Sequence, residues 1–156
     1  MTAPQPSTPA RPADPADGAL FDAVATEHAT IYGYGVVSAH SIPERNYLVS
    51  EAIAEHRERR EAALAMLEAR SVDVPLPAAG YQLPIDVDTP TAAATLAVRM
   101  EEDAATAWRA VVEQATDQQD RAFAVTALTQ CAVMAARWRT VLRLAPVSVA
   151  FPGGNE

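Results

Sequence analysis

A proline-rich stretch near the middle of the chain limits what this sequence can fold into. Residues 71–90 read SVDVPLPAAGYQLPIDVDTP and contain four prolines, which exclude a helix and a central strand there. Fully extended at about 3.1 Å per residue, the stretch would span roughly 60 Å. A helix of about 25 residues is only roughly 37 Å long. The stretch can therefore run the whole length of a helical bundle and return the chain to the end where the preceding helix began.

Helical periodicity flanks this stretch on both sides. Apolar residues recur with the i, i+3, i+4, i+7 spacing of amphipathic helices in four segments, namely 18–38, 43–70, 91–115 and 117–144. Short turns around SIPER and TDQQD join the first two segments and the last two, so each pair is expected to form an antiparallel hairpin. The sequence therefore predicts an all-α protein, a four-helix bundle of two antiparallel hairpins joined by a long crossover.

The two ends of the chain lack this periodicity. Residues 1–17 are rich in proline and alanine, so we expect a disordered arm, with Asp17 as the N-cap of the first helix. The bundle domain is expected over residues 18–144. In the C-terminal tail, residues 145–156, the run VSVAF alternates apolar side chains. This alternation predicts an extended segment that packs on the bundle or on a neighbouring chain.

Composition and charge exclude several classes of protein. Alanine dominates the apolar residues and aromatic residues make up only 6%, which favours closely packed helices over a sheet. The net charge of −8 argues against a nucleic-acid partner, because phosphate binding needs a basic face. No apolar run approaches the roughly 18 residues of a membrane span, and the N-terminus has no signal segment. We therefore expect a cytoplasmic protein with no membrane partner.

A helical wheel places polar side chains inside the apolar arc of each predicted helix. The first helix contributes His28, near the middle of the arc, and Glu27, at its edge. The second and third contribute His56 and Glu101, and the fourth offers Gln130. All five lie at a similar depth along the bundle, so we expect them to form one mid-bundle layer. Buried polar groups are costly unless they are paired or coordinated, so these residues are also the candidate metal ligands.

Two runs stand out in the first predicted hairpin, EHATIYGYG and EHRERREAAL. They resemble the first hairpin of the ferritin-like superfamily, and in particular of an uncharacterised, mainly actinobacterial, ferritin-like family. The resemblance covers about residues 19–144. Ferritin-like di-iron sites take a glutamate from each of two helices and a Glu-x-x-His pair from each of the other two. The resemblance implies that Glu27 and Glu101 are the carboxylates of such a site and His56 its histidine.

The di-iron pattern is incomplete in this chain. Ile53 stands three residues before His56, where the motif has glutamate, and the fourth helix has no such motif. Two divalent ions would bring more positive charge than two carboxylates balance, and Arg60, one turn from His56, would add to the excess. We therefore predict that no two-metal centre forms. Two arrangements stay open: a carboxylate network with Arg60, Arg59 or Arg137, which we favour, and one divalent transition-metal ion.

Three functions stay open on the sequence alone. The first, which we favour, is a degenerate, non-catalytic ferritin-like bundle that needs no cofactor. The second is a ferritin-like protein that binds one iron, manganese or zinc ion at mid-bundle. The third is a helical interaction module that acts as a homo-oligomer, most simply a homodimer, or docks an unknown protein partner. An enzyme is less favoured, because Cys131, the lone cysteine, lies in the apolar arc of the fourth helix with no histidine placed to activate it.

Overall fold

The four predicted helices are present in the structure, a computed structural model that describes residues 6–154. They are α1 (Pro15–His40), α2 (Asn46–Ala69), α3 (Pro90–Gln114) and α4 (Gln118–Val141), with a 3-10 turn (Pro43–Arg45) before α2. No β-strand occurs within residues 6–154, so the predicted all-α class is confirmed for that part of the chain. None of these helices combines the length and the apolar character that a bilayer crossing requires.

The start of α1 differs from the prediction. Asp14, not Asp17, is the N-cap, and its Oδ1 accepts hydrogen bonds from two backbone nitrogens of the first turn, each at 3.0 Å. Pro15 favours this start because its ring presets the helical φ at the first position of the helix. The helix therefore extends three residues into the predicted arm of residues 1–17.

The described part of the arm makes hydrogen bonds to the rest of the chain. The backbone nitrogen of Leu76 donates to Thr8 Oγ1 at 2.8 Å. Arg11 Nε donates to Asp22 Oδ2 at 2.8 Å, in an exposed ion pair. Because residues 1–5 lie outside the described residues, the disorder of the arm stays a prediction.

The proline-rich stretch runs along the bundle, as its length predicts. Val72 near its start packs against the apolar cluster at one end of the bundle. Leu83 and Val87, near its end, pack against the cluster at the other end. Half-buried and exposed residues alternate over residues 81–88, as they do in an extended chain that lies on a surface. The stretch therefore forms a crossover that spans the bundle.

The two apolar clusters define the direction of the helices. The first cluster contains Leu67 from the C-terminal part of α2 and Trp108 from the C-terminal part of α3. The second contains Leu48 and Leu96, from the N-terminal parts of the same two helices. Helices α2 and α3 therefore run in the same direction, joined by the crossover.

The helices do not pack with equal closeness. Helix α1 packs directly against α2 and α3, and α3 packs directly against α4. Helices α2 and α4 are bridged by long side chains instead, for example by Arg137, which donates to both carboxylate oxygens of Glu51 at 2.6 and 2.8 Å. A cavity of about 190 Å³ remains between these two helices. This gap gives one long side chain of α2 room to turn into the bundle.

Candidate functional site

A buried polar layer lies between the two apolar clusters. Glu27 of α1, His56 of α2 and Glu101 of α3 are each at most 1% exposed. The His56 ring nitrogen Nδ1 lies 2.5 Å from Glu27 Oε2, and Nε2 lies 3.0 Å from Glu101 Oε1. One imidazole therefore bridges two carboxylates, and three of the five residues predicted for the layer lie together.

Arg59 supplies a guanidinium group to the layer. The residue is 4% exposed, and its Nη1 donates to Glu27 Oε1 at 3.1 Å. Its Nη2 donates to Gln130 Oε1 at 3.0 Å, so the fourth predicted residue touches the layer from an exposed position on α4. Arg59 Nη1 also lies 3.0 Å from His56 Nδ1. Both atoms carry hydrogen when the imidazole is charged, so we interpret them as two donors that share one carboxylate.

The prediction that Arg60 lies at the layer is wrong. Arg60 pairs with its neighbour Glu61, with Nη2 to Oε1 at 2.6 Å, outside the layer. Arg59 and Arg60 follow His56 by three and four residues, so they flank its face of the helix on opposite sides. The position of α4 decides which of the two turns inward, and the local sequence of α2 does not contain that information.

His28 is the one predicted ligand that lies away from the layer. It is buried, but its Nε2 lies 3.2 Å from the carbonyl oxygen of Pro75 in the crossover. Burial lowers the pKa of His28, and the opposing hydrogen bond to Pro75 does not restore it. The crossover packs on a second face of α1, so the apolar arc of α1 includes residues that face the crossover as well as residues that face the core. The middle of that arc therefore does not point at the core. Glu27, which the wheel placed at the edge, points there instead.

Three aromatic donors complete the layer, and the helical wheel did not identify them. Trp108 Nε1 donates to Glu27 Oε1 at 2.7 Å. The Tyr34 hydroxyl donates to Glu101 Oε1 at 2.5 Å and accepts a hydrogen bond from Trp138 Nε1 at 3.0 Å. A signal for this was present, because Tyr34 follows Glu27 by seven residues and therefore shares its helical face. A buried indole also needs an acceptor for its N–H group.

These contacts keep the layer charged despite its burial. Burial alone would raise the pKa of Glu27, but the hydrogen bond and charge of His56, with Arg59 and Trp108, hold it below its ordinary value. Burial alone would lower the pKa of His56, but the charge and hydrogen bond of Glu101, reinforced by Glu27, raise it to about 9. The layer thus sets two acidic side chains, Glu27 and Glu101, against two basic ones, His56 and Arg59.

The donor set does not fit a metal ion in this arrangement. Both ring nitrogens of His56 face carboxylates, and both oxygens of Glu27 already have donors. A metal ligand must present a free lone pair, so an ion would have to displace a proton from the imidazole and compete with Arg59. Within residues 6–154, no group of three His, Cys, Asp or Glu side chains is arranged to hold an ion. The layer takes its positive charges from the protein itself.

Cys131 lies at the edge of the layer. It is fully buried, as the sequence predicts, and its Sγ accepts a hydrogen bond from Arg59 Nη1 at 3.3 Å. Burial raises the pKa of the thiol well above its ordinary value. The thiolate, which is the nucleophilic form of cysteine, is therefore disfavoured at Cys131.

The fold and the layer define a class of protein: an all-α, four-helix chain with a buried and charge-balanced polar centre. The chain belongs to the family described as domain of unknown function DUF4439, whose profile matches residues 19–156. It is also similar to a solved structure, the crystal structure of a conserved hypothetical protein, rv2844, from Mycobacterium tuberculosis. The two chains are 58% identical over 83% of this chain and 98% of that one, with a TM-score of 0.82. No curated protein matches the chain.

Proposed function

We propose that this protein is a non-catalytic, ferritin-like scaffold in which a charge network takes the place of a metal centre. One observation carries the proposal: His56 bridges Glu27 and Glu101 while Arg59 pairs with Glu27. The two carboxylates that could bind a cation are thus committed to cationic side chains of the same chain. The long crossover between parallel α2 and α3 supports the ferritin-like assignment, since this connection is typical of that type of bundle.

The network is suited to holding the helices in register. It joins α1, α2 and α3 directly, and Arg59 extends it to Gln130 of α4. If one helix slid along its neighbours, at least one buried charge would lose its partner, which is costly in a medium of low dielectric constant. The acidic composition supports a cytoplasmic location and no nucleic-acid partner, and these parts of the proposal rest on composition alone.

Metal ions are expected to leave the protein's stability unchanged. Protein purified without chelator should contain well under one equivalent of iron, manganese or zinc, as measured by elemental analysis. The melting temperature should not rise with added Mn²⁺, Zn²⁺ or anaerobic Fe²⁺, because an ion that bound only the folded state would raise it with concentration.

Two histidine variants make this metal test specific to the layer. A stabilisation by metal that disappears in His56→Gln but persists in His28→Gln would contradict the proposal and support a single ion at mid-bundle. Two bound ions per chain would contradict both. The His28→Gln variant is the matched control because His28 is buried against the crossover, outside the layer.

Self-association is a second candidate function, favoured by the outer face of α4. Residues 122–136 contain no charged side chain, although the chain as a whole has a net charge of −8. Val125 and Val133, eight residues apart and hence on the same side of the helix, are 46% and 54% exposed. A charge-free face of this kind allows a second copy to approach without electrostatic repulsion or desolvation of charge. It supports the homodimer as a proposal.

Replacing Val133 with arginine is expected to convert a dimer to a monomer. The change places a charge at the centre of the proposed contact, where two copies related by a two-fold axis would bring two such charges together. Light scattering after size-exclusion chromatography, over a range of protein concentrations, measures the mass. Tyr47→Arg, at a position on α2 that is 65% exposed, is the control and should leave the dimer intact. A wild-type protein that is monomeric at every concentration would rule the dimer out.

A further inference from the structure

The C-terminal tail presents apolar side chains to solvent. Val147, Val149 and Phe151 are 42%, 45% and 69% exposed, and Leu144, just before the tail, is 49% exposed. The prediction of an extended tail is wrong for its described part, residues 145–154, which bends and turns. The single chain therefore leaves these four side chains partly uncovered.

The tail is nevertheless held in one place on the bundle. Gly153 has a φ of +76°, and a Cβ atom at that position would lie 2.6 Å from the carbonyl oxygen of Ala105 in α3. Only glycine fits there, both for its backbone conformation and for this close approach. Arg139 Nη1 of α4 also donates to the carbonyl oxygen of Val147 at 3.4 Å. A tail held in this way loses little conformational freedom when a partner binds it.

The tail lies beside the charge-free outer face of α4. Val149 and Ala132 line the same cavity, of about 350 Å³, between α3, α4 and the tail. Ala132 precedes Val133, whose exposed side chain belongs to that outer face. Residues 144–154, like residues 122–136, contain no charged side chain. The two segments therefore form one surface, which we call the α4–tail surface.

The size of the α4–tail surface fits an interface between two proteins. About twenty of its residues are exposed or half-buried, and α4 supplies only about half of them. A stable interface engages roughly 20–30 residues on each side, so the outer face of α4 is too small by itself. Phe151 is the most exposed large apolar side chain among residues 6–154. It is also aromatic, and aromatic side chains are enriched where proteins meet.

The charge of the chain favours a second copy as the partner. Two copies that each carry a net charge of −8 repel one another, and this repulsion is weakest where they meet through a charge-free surface. Two of the three arginines between the two segments, Arg137 and Arg139, form ion pairs with Glu51 and Glu102 of the same chain. A strongly charged partner would gain no complementary charge at the α4–tail surface.

We propose that the α4–tail surface binds the same surface of a second copy of the chain, with Phe151 in the contact. This inference rests on the self-association proposed above, and it adds the tail to the contact made by α4. The tail would then have a function that its exposed side chains do not serve in the single chain.

Replacing Phe151 with serine tests the role of the tail. The dissociation constant of the dimer is expected to rise at least about tenfold, measured by light scattering of the full chain over a range of concentrations. Tyr47→Ser is the matched control, because it removes another exposed aromatic ring, on α2, and should leave the dissociation constant unchanged. Circular dichroism should show that both variants keep the fold, since both side chains lie largely in solvent.

Gly153→Ala and added salt provide two further measurements. The Cβ atom of alanine would displace the tail from Ala105, so Gly153→Ala should also weaken the dimer, although it changes no charge and no apolar side chain of the tail. Raising the NaCl concentration from about 0.05 to 0.5 M should tighten the wild-type dimer, because salt screens the repulsion between two acidic chains.

The variants distinguish a failure of this inference from a failure of self-association itself. If Phe151→Ser and Gly153→Ala bind as tightly as the wild type while Val133→Arg is monomeric, the tail has no role and the contact through α4 stands. A wild-type protein that is monomeric at every concentration would overturn both. A dimer that weakens in added salt would also overturn the inference, because ion pairs would then hold the two copies together.

Discussion

Replacing Glu27 with glutamine is expected to lower the free energy of unfolding by about 3–5 kcal/mol, the usual cost of removing one partner from a buried ion pair. The change keeps the size of the side chain but removes the charge that His56 and Arg59 both face. Two buried cations would then remain against Glu101 alone. Calorimetry or circular dichroism should record a fall in melting temperature of roughly 10 °C.

The same substitution at an exposed ion pair is the control. Glu51 pairs with Arg137 at the surface, so Glu51→Gln should leave the melting temperature close to that of the wild type. The double variant Glu27→Gln with Arg59→Met should recover part of the loss, because it also removes the guanidinium that the single variant leaves unpaired. A Glu27→Gln protein as stable as Glu51→Gln would contradict the charged network.

Stability is expected to fall as the pH rises through the slightly alkaline range. The pKa of His56 is about 9 in the folded protein, against an ordinary value of 6.5 that we take for the unfolded chain. Between these two values the folded state keeps a proton that the unfolded state has lost. The stabilisation is therefore complete below the lower pKa and is lost as the pH rises through the higher one. The difference between the two pKa values corresponds to a loss of about 3 kcal/mol in the free energy of unfolding. Urea unfolding at a series of pH values measures this loss.

Two histidine variants separate this effect from other titrations. His56→Gln should flatten the decline between about pH 6.5 and 8.5, the window in which His56 dominates. His28→Gln should retain the decline, because the lowered pKa of His28 acts at more acidic pH and with the opposite sign. The raised pKa of the Cys131 thiol contributes only near its ordinary value of 9.0 and above. Equal slopes in the wild type and His56→Gln would mean that the imidazole is not charged.

A buried ion network and a metal centre use similar side chains, and this explains why the sequence left both open. Carboxylates and imidazole suit either arrangement. The difference lies in Arg59, whose guanidinium occupies one side of Glu27, and in the two carboxylates that face both ring nitrogens of His56. Both predictions above depend on these contacts, so each tests the network by a different property: the first by charge removal, the second by titration.

Local patterns in the chain were sufficient to predict the helices and the path of the crossover. Helical periodicity is a property of neighbouring residues, and Pro75, Pro77 and Pro84 exclude a regular helix between α2 and α3 whatever surrounds them. The length of that stretch then determined that it can return the chain to the other end of the bundle. Residue numbers also predicted that Glu27, His56 and Glu101 lie at one level of the bundle, because the distance of a residue from the end of its helix depends only on its position in the sequence.

Only the tertiary structure decided which side chains at that level meet. Arg59 and Arg60, like Glu27 and His28, lie at nearly the same level but point in different directions around their helix. The positions of the neighbouring elements decide which of these directions faces the core. His28 lies against the carbonyl oxygen of Pro75 because the crossover packs over α1, and the gap between α2 and α4 leaves room for the side chain of Arg59. Partners from distant parts of the chain, such as the indole of Trp108 on Glu27, arise from packing that no local pattern encodes. The sequence thus determined the height of the layer, and helix packing determined its contacts and hence its charge.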